Sequence, residues 1–209
     1  SGNDAARLLV RASSTDTLYM VAENGSAAAI AVHTLPQVEK LSDGLPFNKT
    51  SPLHENDHLV AMFTLPARRS DLPEDTCVLT VSRGGLLKKS LISSLPGPSA
   101  QSFTLAKVND GDALGWVGLT DGNKEILLAS SQGMAIRFKE DDIRPMGLVS
   151  AGVNGIKLSV GDIVIGAEVL PENGEVFLMA TDGKAKRVPI SDFPTQGRYG
   201  KGVIAWELP

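Results

Sequence analysis

A block of about twenty residues recurs four times in this 209-residue chain, and that recurrence limits the possible folds more than any single residue does. The copies are residues 17–36, 77–96, 125–144 and 175–194. Each holds an apolar run, two or three small or polar residues, an anchor glycine and a second short run. An apolar residue follows ten positions after the glycine: Leu35, Leu95, Ile143 and Phe193. The anchors Gly25, Gly85, Gly133 and Gly183 lie 60, 48 and 50 residues apart. A second marker precedes the last three copies, namely Asn56-Asp57, Gly111-Asp112 and Gly161-Asp162, each followed by a strand-like run. From that aspartate to the anchor glycine is 28, 21 and 21 residues. The seven extra residues fall around 67–75 (ARRSDLPED) and read as a longer loop, which leaves a period of about 50 residues.

Within each unit the apolar runs are short, and the breaks between them carry turn chemistry: Glu-Asn-Gly, Arg-Gly-Gly, Ser-Gln-Gly and Thr-Asp-Gly. Asn-Gly and Asp-Gly supply the positive φ of tight hairpin turns. Two hairpins per 50 residues give about four strands per unit, and four-stranded units at this period read as blades of a propeller-like, all-β fold. One sheet buries one face alone, and stacking on the next sheet buries the other. The expected repeats are roughly 5–50, 51–105, 106–155 and 156–209, forming a single domain. The final run 203–208 (VIAWEL) supplies a closing strand, which is expected to pair with 7–11 (RLLVR).

Composition supports a folded chain. It is 42% hydrophobic and 21% charged, and its 21 Gly and 12 Pro suit many short elements rather than long helices. No apolar run approaches the ~18 residues of a membrane span and no leader pattern opens the chain, so a cytoplasmic protein is expected. Ser1-Gly2 has the look of an expression remnant. The single Cys77 excludes an internal disulfide or a cysteine-based zinc site, and it reads as inert. Net charge is −4, unevenly spread. Residues 1–75 hold six Lys/Arg against ten Asp/Glu, and residues 76–209 hold fourteen of each. An anion-binding face must therefore be a local stripe in the second part.

Residues 126–147 (ILLASSQGMAIRFKEDDIRPMG), with 152–170 (GVNGIKL..GDIVIGAEVL) and 175–206 (EVFLMATDGKAKRVPISDFPTQGRYGKGVIAW), resemble the C-terminal domain of the DNA gyrase A subunit, and its topoisomerase IV counterpart. The resemblance is strong over about 110–206 and weaker over 15–100. It implies a β-pinwheel, a propeller variant whose blades exchange strands, with a basic rim that wraps double-stranded DNA for strand passage and supercoiling. It implies further that this piece is non-catalytic and needs no cofactor or metal. The nucleophilic tyrosine belongs to the rest of the A subunit, while ATP is handled by the B subunit. Gyrase has six such blades, whereas four repeats stand here. The family's basic box, Gln-Arg-Arg-Gly-Gly-Lys-Gly, is absent after the first unit. A related segment runs through Gln196, Gly197, Arg198, Tyr199, Gly200, Lys201 and Gly202 in the last one. A topoisomerase IV type of domain with weaker DNA binding therefore stays open.

A rim that holds duplex DNA presents cations and backbone N–H groups to phosphates without reading bases. The third and fourth residues after each anchor are Ala28-Ala29, Lys88-Lys89, Ile136-Arg137 and Lys186-Arg187. Three of four units thus offer a cation at one register, and alternation along a strand would turn one of each pair to the rim. With Arg83 and Lys184 at turns, and Gln196, Arg198 and Lys201 in the box-like loop, these form the expected DNA path over units two to four. Neutralising about five phosphates would give a log–log salt slope of around −4 to −5.

Other signals are weaker. His54-Glu55-Asn56-Asp57-His58 fits the H-E-x-x-H zinc pattern, but Asn56-Asp57 aligns with two other pre-strand turns, so a turn is expected rather than a metal-binding helix. Glu140, Asp141 and Asp142 fall at a blade connection and read as a solvated acidic turn. Trp116 and Trp206 read as packing residues. No phosphate loop, dinucleotide fingerprint or nucleophile elbow occurs. A propeller used for protein contacts is the competing class, favoured by the acidic first unit.

Overall fold

Each recurring block folds into a β-hairpin, and the computed structural model, which describes residues 7–207, arranges fourteen strands around these hairpins. The hairpins are β1 (Thr17–Ala22) with β2 (Ser26–Ala31), β4 (Cys77–Ser82) with β5 (Leu86–Leu91), β8 (Glu125–Ser130) with β9 (Met134–Lys139), and β12 (Glu175–Met179) with β13 (Ala185–Pro189). Between them run β3 (Leu59–Leu65), β6 (Phe103–Thr104), β7 (Leu114–Thr120), β10 (Val153–Asn154), β11 (Val164–Leu170) and β14 (Val203–Ile204). The three four-stranded sheets have the orders β3-β1-β2-β6, β10-β5-β4-β7 and β11-β8-β9-β14, and β12-β13 form a two-stranded sheet. No helix among the described residues is long and apolar enough to cross a membrane.

The sheets cut across the sequence repeats. Each of the first three hairpins receives a seven-residue strand and a two-residue strand from the unit that follows it. A unit therefore contains one hairpin and two strands lent to the preceding blade, rather than two hairpins. The fourth hairpin has no lent strands among the described residues. The closing strand also differs from expectation: Val203 and Ile204 pair with Ala135 and Met134 of β9, not with residues 7–11. The C-terminal run supplies the short strand of blade three because every unit does the same for its predecessor.

The loops hold three residues in the first three hairpins and five in the fourth, and the anchor alone is left-handed, with φ of 86°, 84°, 79° and 85° at Gly25, Gly85, Gly133 and Gly183. The residue before the anchor, asparagine or aspartate in two units, is not left-handed, so these are not the two-residue turns that Asn-Gly and Asp-Gly suggest. A Cβ on Gly25 would also lie 2.0 Å from the Ala106 carbonyl oxygen. The aspartate marker has a structural reason. Asp57, Asp112 and Asp162 each accept a hydrogen bond from the residue before the preceding unit's anchor, at 2.9, 2.7 and 2.9 Å from Asn24 Nδ2, Gly84 N and Gln132 N. The residues 54–57 form a turn closed by Asp57 N to His54 O at 2.9 Å, as the aligned markers imply. Just beyond the marker, β3, β7 and β11 each carry a register shift at the same place, opposite Val21/Ala22, Val81/Ser82 and Ala129/Ser130.

Strand alternation decides which core each side chain enters. Tyr19 and Val21 join Val78, Ile92 and Leu105 between blades one and two. Leu79, Val81 and Leu87 meet Ile126, Leu128 and Phe138 between blades two and three. Leu127 turns the other way, toward Ile190 and Phe193.

Candidate nucleic-acid interface

The paired positions after the first three anchors are covered by neighbouring blades rather than presented on an outer rim. Lys88 is 0% exposed, and its Nζ donates to the carbonyls of Leu105 (2.5 Å), Leu148 (2.6 Å) and Gly147 (3.2 Å). Burial pushes its pKa down to about 8. Lys89, on the opposite face of β5, is buried against Glu140, with Nζ 3.4 Å from the carboxylate and 3.2 Å from the Glu140 carbonyl. Glu140 is therefore not part of a solvated turn. It is fully buried and also accepts from the Thr120 hydroxyl, while Asp141 and Asp142 are exposed.

Arg137 repeats the role of Lys89 one blade further on. Its Nη1 donates to Ile190 O at 2.9 Å and Phe193 O at 3.2 Å, and its Nε to Glu125 at 2.6 Å. Burial acts to raise the Glu125 pKa, but the Thr195 hydroxyl and Arg137 outweigh it and hold the carboxyl below its ordinary value. In each case the cation after the anchor latches onto the 3-10 turn that follows the next hairpin. Lys88, Lys89 and Arg137 are thus consumed inside the fold, and of the expected contacts they are the ones the structure removes from the surface. Arg187 holds the same position in the last hairpin but is 72% exposed and pairs with Glu175 at 3.0 Å. Lys186, the counterpart of Lys88, lies with its Nζ 5.0 Å from the Trp206 ring centroid.

A second set of exposed cations flanks the two-residue strands, at the loops that lead into them and the residues that follow them. Residues 146–152 and 196–202 are equivalent: Met146 N and Gln196 N donate to Lys89 O and Arg137 O at 2.7 and 2.8 Å. Each loop ends on a left-handed glycine, Gly152 or Gly202, and a Cβ on Gly202 would sit 2.1 Å from Ala135 O. Only glycine lets the loop rejoin the strand edge this closely. The start of the same unit bonds back onto the loop, through Lys107 N to Ser150 O at 3.2 Å and Lys157 N to Gly200 O at 2.9 Å.

Lys107 and Lys157 are exposed, in register, and each five residues before its marker aspartate. They lie 26 residues before Gly133 and Gly183, in register with the repeat but outside the twenty-residue block that the hairpins share. Lys201 is exposed on the second loop, and Arg198 reaches back to Asn154 O, with its Nε buried and unpaired. Lys157, Arg198 and Lys201 therefore share one loop junction. Arg83 stands apart over Trp116, 5.9 Å from the ring centroid, and Lys184 pairs locally with Asp182 at 2.8 Å. The first unit has Ala28 and Ala29 in place of the cation pair, both buried. Groups of three or more His, Cys, Asp or Glu suited to a metal do not occur among the described residues.

Comparison with known proteins agrees with this architecture. Residues 124–171 and 174–207 match the family described as DNA gyrase C-terminal domain, beta-propeller. The DNA gyrase A subunit of Salmonella typhimurium is 33% identical over 199 residues, 95% of this chain and 22% of that protein. Its Staphylococcus aureus (strain MRSA252) counterpart is 30% identical over 202 residues, 96% of this chain and again 22% of the relative. The chain thus spans about a fifth of the length of these relatives. Among solved structures, the C-terminal domain of DNA topoisomerase IV superimposes with a TM-score of 0.81 at 22% identity, over 91% of this chain and 58% of that one. The DNA gyrase A C-terminal domain gives 0.73 at 20% identity, over 93% and 61%. These two likenesses speak for the fold. With the strand-exchanged blades and the repeated glycine loops, the matches show that the chain belongs to the family of DNA gyrase C-terminal β-propeller domains.

Proposed function

We propose that this domain is a non-catalytic module that binds duplex DNA along the outer edge of blades two to four, within the A subunit of a cytoplasmic type IIA topoisomerase. The observation that carries the reading is the register of Lys107 and Lys157, each exposed and bonded through its backbone to a glycine-ended loop later in its own unit. The junction occurs twice in one register, so a curved duplex meets the same chemistry at two successive steps. It touches phosphates and leaves the bases unread. Arg198, Lys201 and Gln196 belong to the same loop junction, and Lys184, Lys186 and Arg187 of the last hairpin, with Arg83, are further contacts in this reading. An ATP-using B subunit, together with the remainder of the A subunit, would supply the energy and the strand breakage. The expected repeats form one domain in this reading, because their sheets interlock.

The test is fluorescence anisotropy with duplexes of increasing length. With about four phosphates neutralised, the log–log salt slope should be near −3 to −4. Lys107→Ala with Lys157→Ala should weaken binding to all sequences alike and reduce the slope by about two. An affinity indifferent to duplex length and to these variants would instead favour a protein-contact propeller.

A further inference from the structure

Tyr199 is the one non-glycine residue with a left-handed backbone among the described residues, at φ 68°. Such a conformation disfavours a bulky side chain, and glycine would adopt it freely. Burial does not explain the tyrosine, since it is 49% exposed. The backbone there is held firmly, with Tyr199 N donating to Gly155 O at 2.8 Å. Strain kept at a half-exposed position points to use of the side chain. Its equivalent on the previous blade is Val149, which is 74% exposed. Two neighbouring loops thus raise one apolar tip each in the same register. Each tip sits beside the lysine that opens its own unit, since Lys107 N bonds the residue after Val149 and Lys157 N the residue after Tyr199.

Resting on the duplex-binding reading above, we propose that Tyr199 and Val149 are paired contacts to the deoxyriboses of a bent DNA backbone. A DNA strand alternates anionic phosphates with sugar rings whose faces are largely apolar. An edge that alternates exposed lysines with exposed apolar tips is complementary to that alternation. At Tyr199 the ring rests on a sugar and the phenol hydroxyl donates to an adjacent phosphate oxygen, a sequence-independent contact.

The experiment combines duplex binding at low salt with thermal melting of the same variants. Tyr199→Gly should leave the melting temperature unchanged or raised, and weaken binding to a 40-base-pair duplex by about 5- to 10-fold. The log–log salt slope should not change, because no charge is lost. Tyr199→Asn, which tolerates the left-handed backbone, should behave like Tyr199→Gly, and Val149→Ser should add a further loss of about 2- to 3-fold. Lys157→Ala and Lys201→Ala, in contrast, should each lower the slope by about one. If the tyrosine variants bind like the parent while the lysine variants weaken, the tip contact is wrong and the duplex reading stands. If the lysine variants have no effect either, the duplex reading itself fails. A lowered melting temperature in both tyrosine variants would make Tyr199 a folding residue and overturn the proposal.

Discussion

Arg69 donates to the Tyr19 hydroxyl at 2.6 Å, joining the long loop of unit two to the first hairpin across the boundary between blades one and two. The same guanidinium reaches Ile92 O at 2.9 Å, Leu95 O at 2.5 Å and Pro96 O at 3.0 Å, and Tyr19 itself donates to Pro96 O at 2.7 Å. Those carbonyls correspond to the Ile190 and Phe193 carbonyls held by Arg137. Blade one has Ala29 where the later blades have Lys89 and Arg137, so it has no latch of its own. The seven extra residues of unit two bring in Arg69 to fill that role.

Removing that guanidinium should therefore cost more than an ordinary surface arginine. Arg69→Ala strands several carbonyls and should destabilise the domain by about 2–3 kcal/mol. In that background Ala29→Lys should recover part of the loss, because Lys89 shows that a lysine at this register reaches the next 3-10 turn. Denaturant melts of the four proteins in a double-mutant cycle measure the coupling; strict additivity would show that the two positions are not interchangeable.

The Lys89–Glu140 pair should behave as a buried unit. Lys89→Met alone leaves Glu140 uncompensated and should cost about 3–5 kcal/mol. The combination Lys89→Met with Glu140→Gln should be much closer to the parent. Equilibrium unfolding in urea separates the two outcomes.

Lys88 gives a pH signature. Its folded pKa of about 8 lies below the ordinary value of 10.5, so between these limits the unfolded chain binds more protons at this site. Stability contributed by this group therefore rises with pH across that window, and below pH 8 the full desolvation cost applies. Lys88→Met, which follows the apolar Ile136 at the same register, removes the titration. The stability of the parent relative to this variant should climb between pH 8 and 10 by about 2 kcal/mol, at no more than 1.36 kcal/mol per pH unit. Thermal melts of both proteins at several pH values test this; a constant difference would show that Lys88 stays charged when folded.

Latch and edge should separate experimentally. Arg137→Ala should lower the melting temperature with little direct effect on the salt slope of DNA binding, while Lys201→Ala should do the reverse. Measuring both quantities on both variants distinguishes them.

The period, the turns and the blade class were legible because they rest on local chemistry: glycines at fixed spacing, short apolar runs and a marker aspartate. The exchange of strands was hidden in the residues themselves, because a lent strand has the same apolar alternation as one retained. The cation pairs were found at the right register and given the wrong surroundings. Lys88 and Lys89 look like surface residues in any one-dimensional reading, and only stacking of the sheets shows that both faces of β5 are covered. Tyr199 carried no signal in composition, since its peculiarity lies in one backbone angle.

Since the hairpins of blades one to three are each flanked by strands lent from the unit after them, no unit can come undone alone. Fraying of residues around β11 and β14 strips both margins from blade three, and blade two is next in line. Loss of order at the C-terminal end should thus travel backward through the molecule like an opening zip, and amide exchange should quicken in that direction.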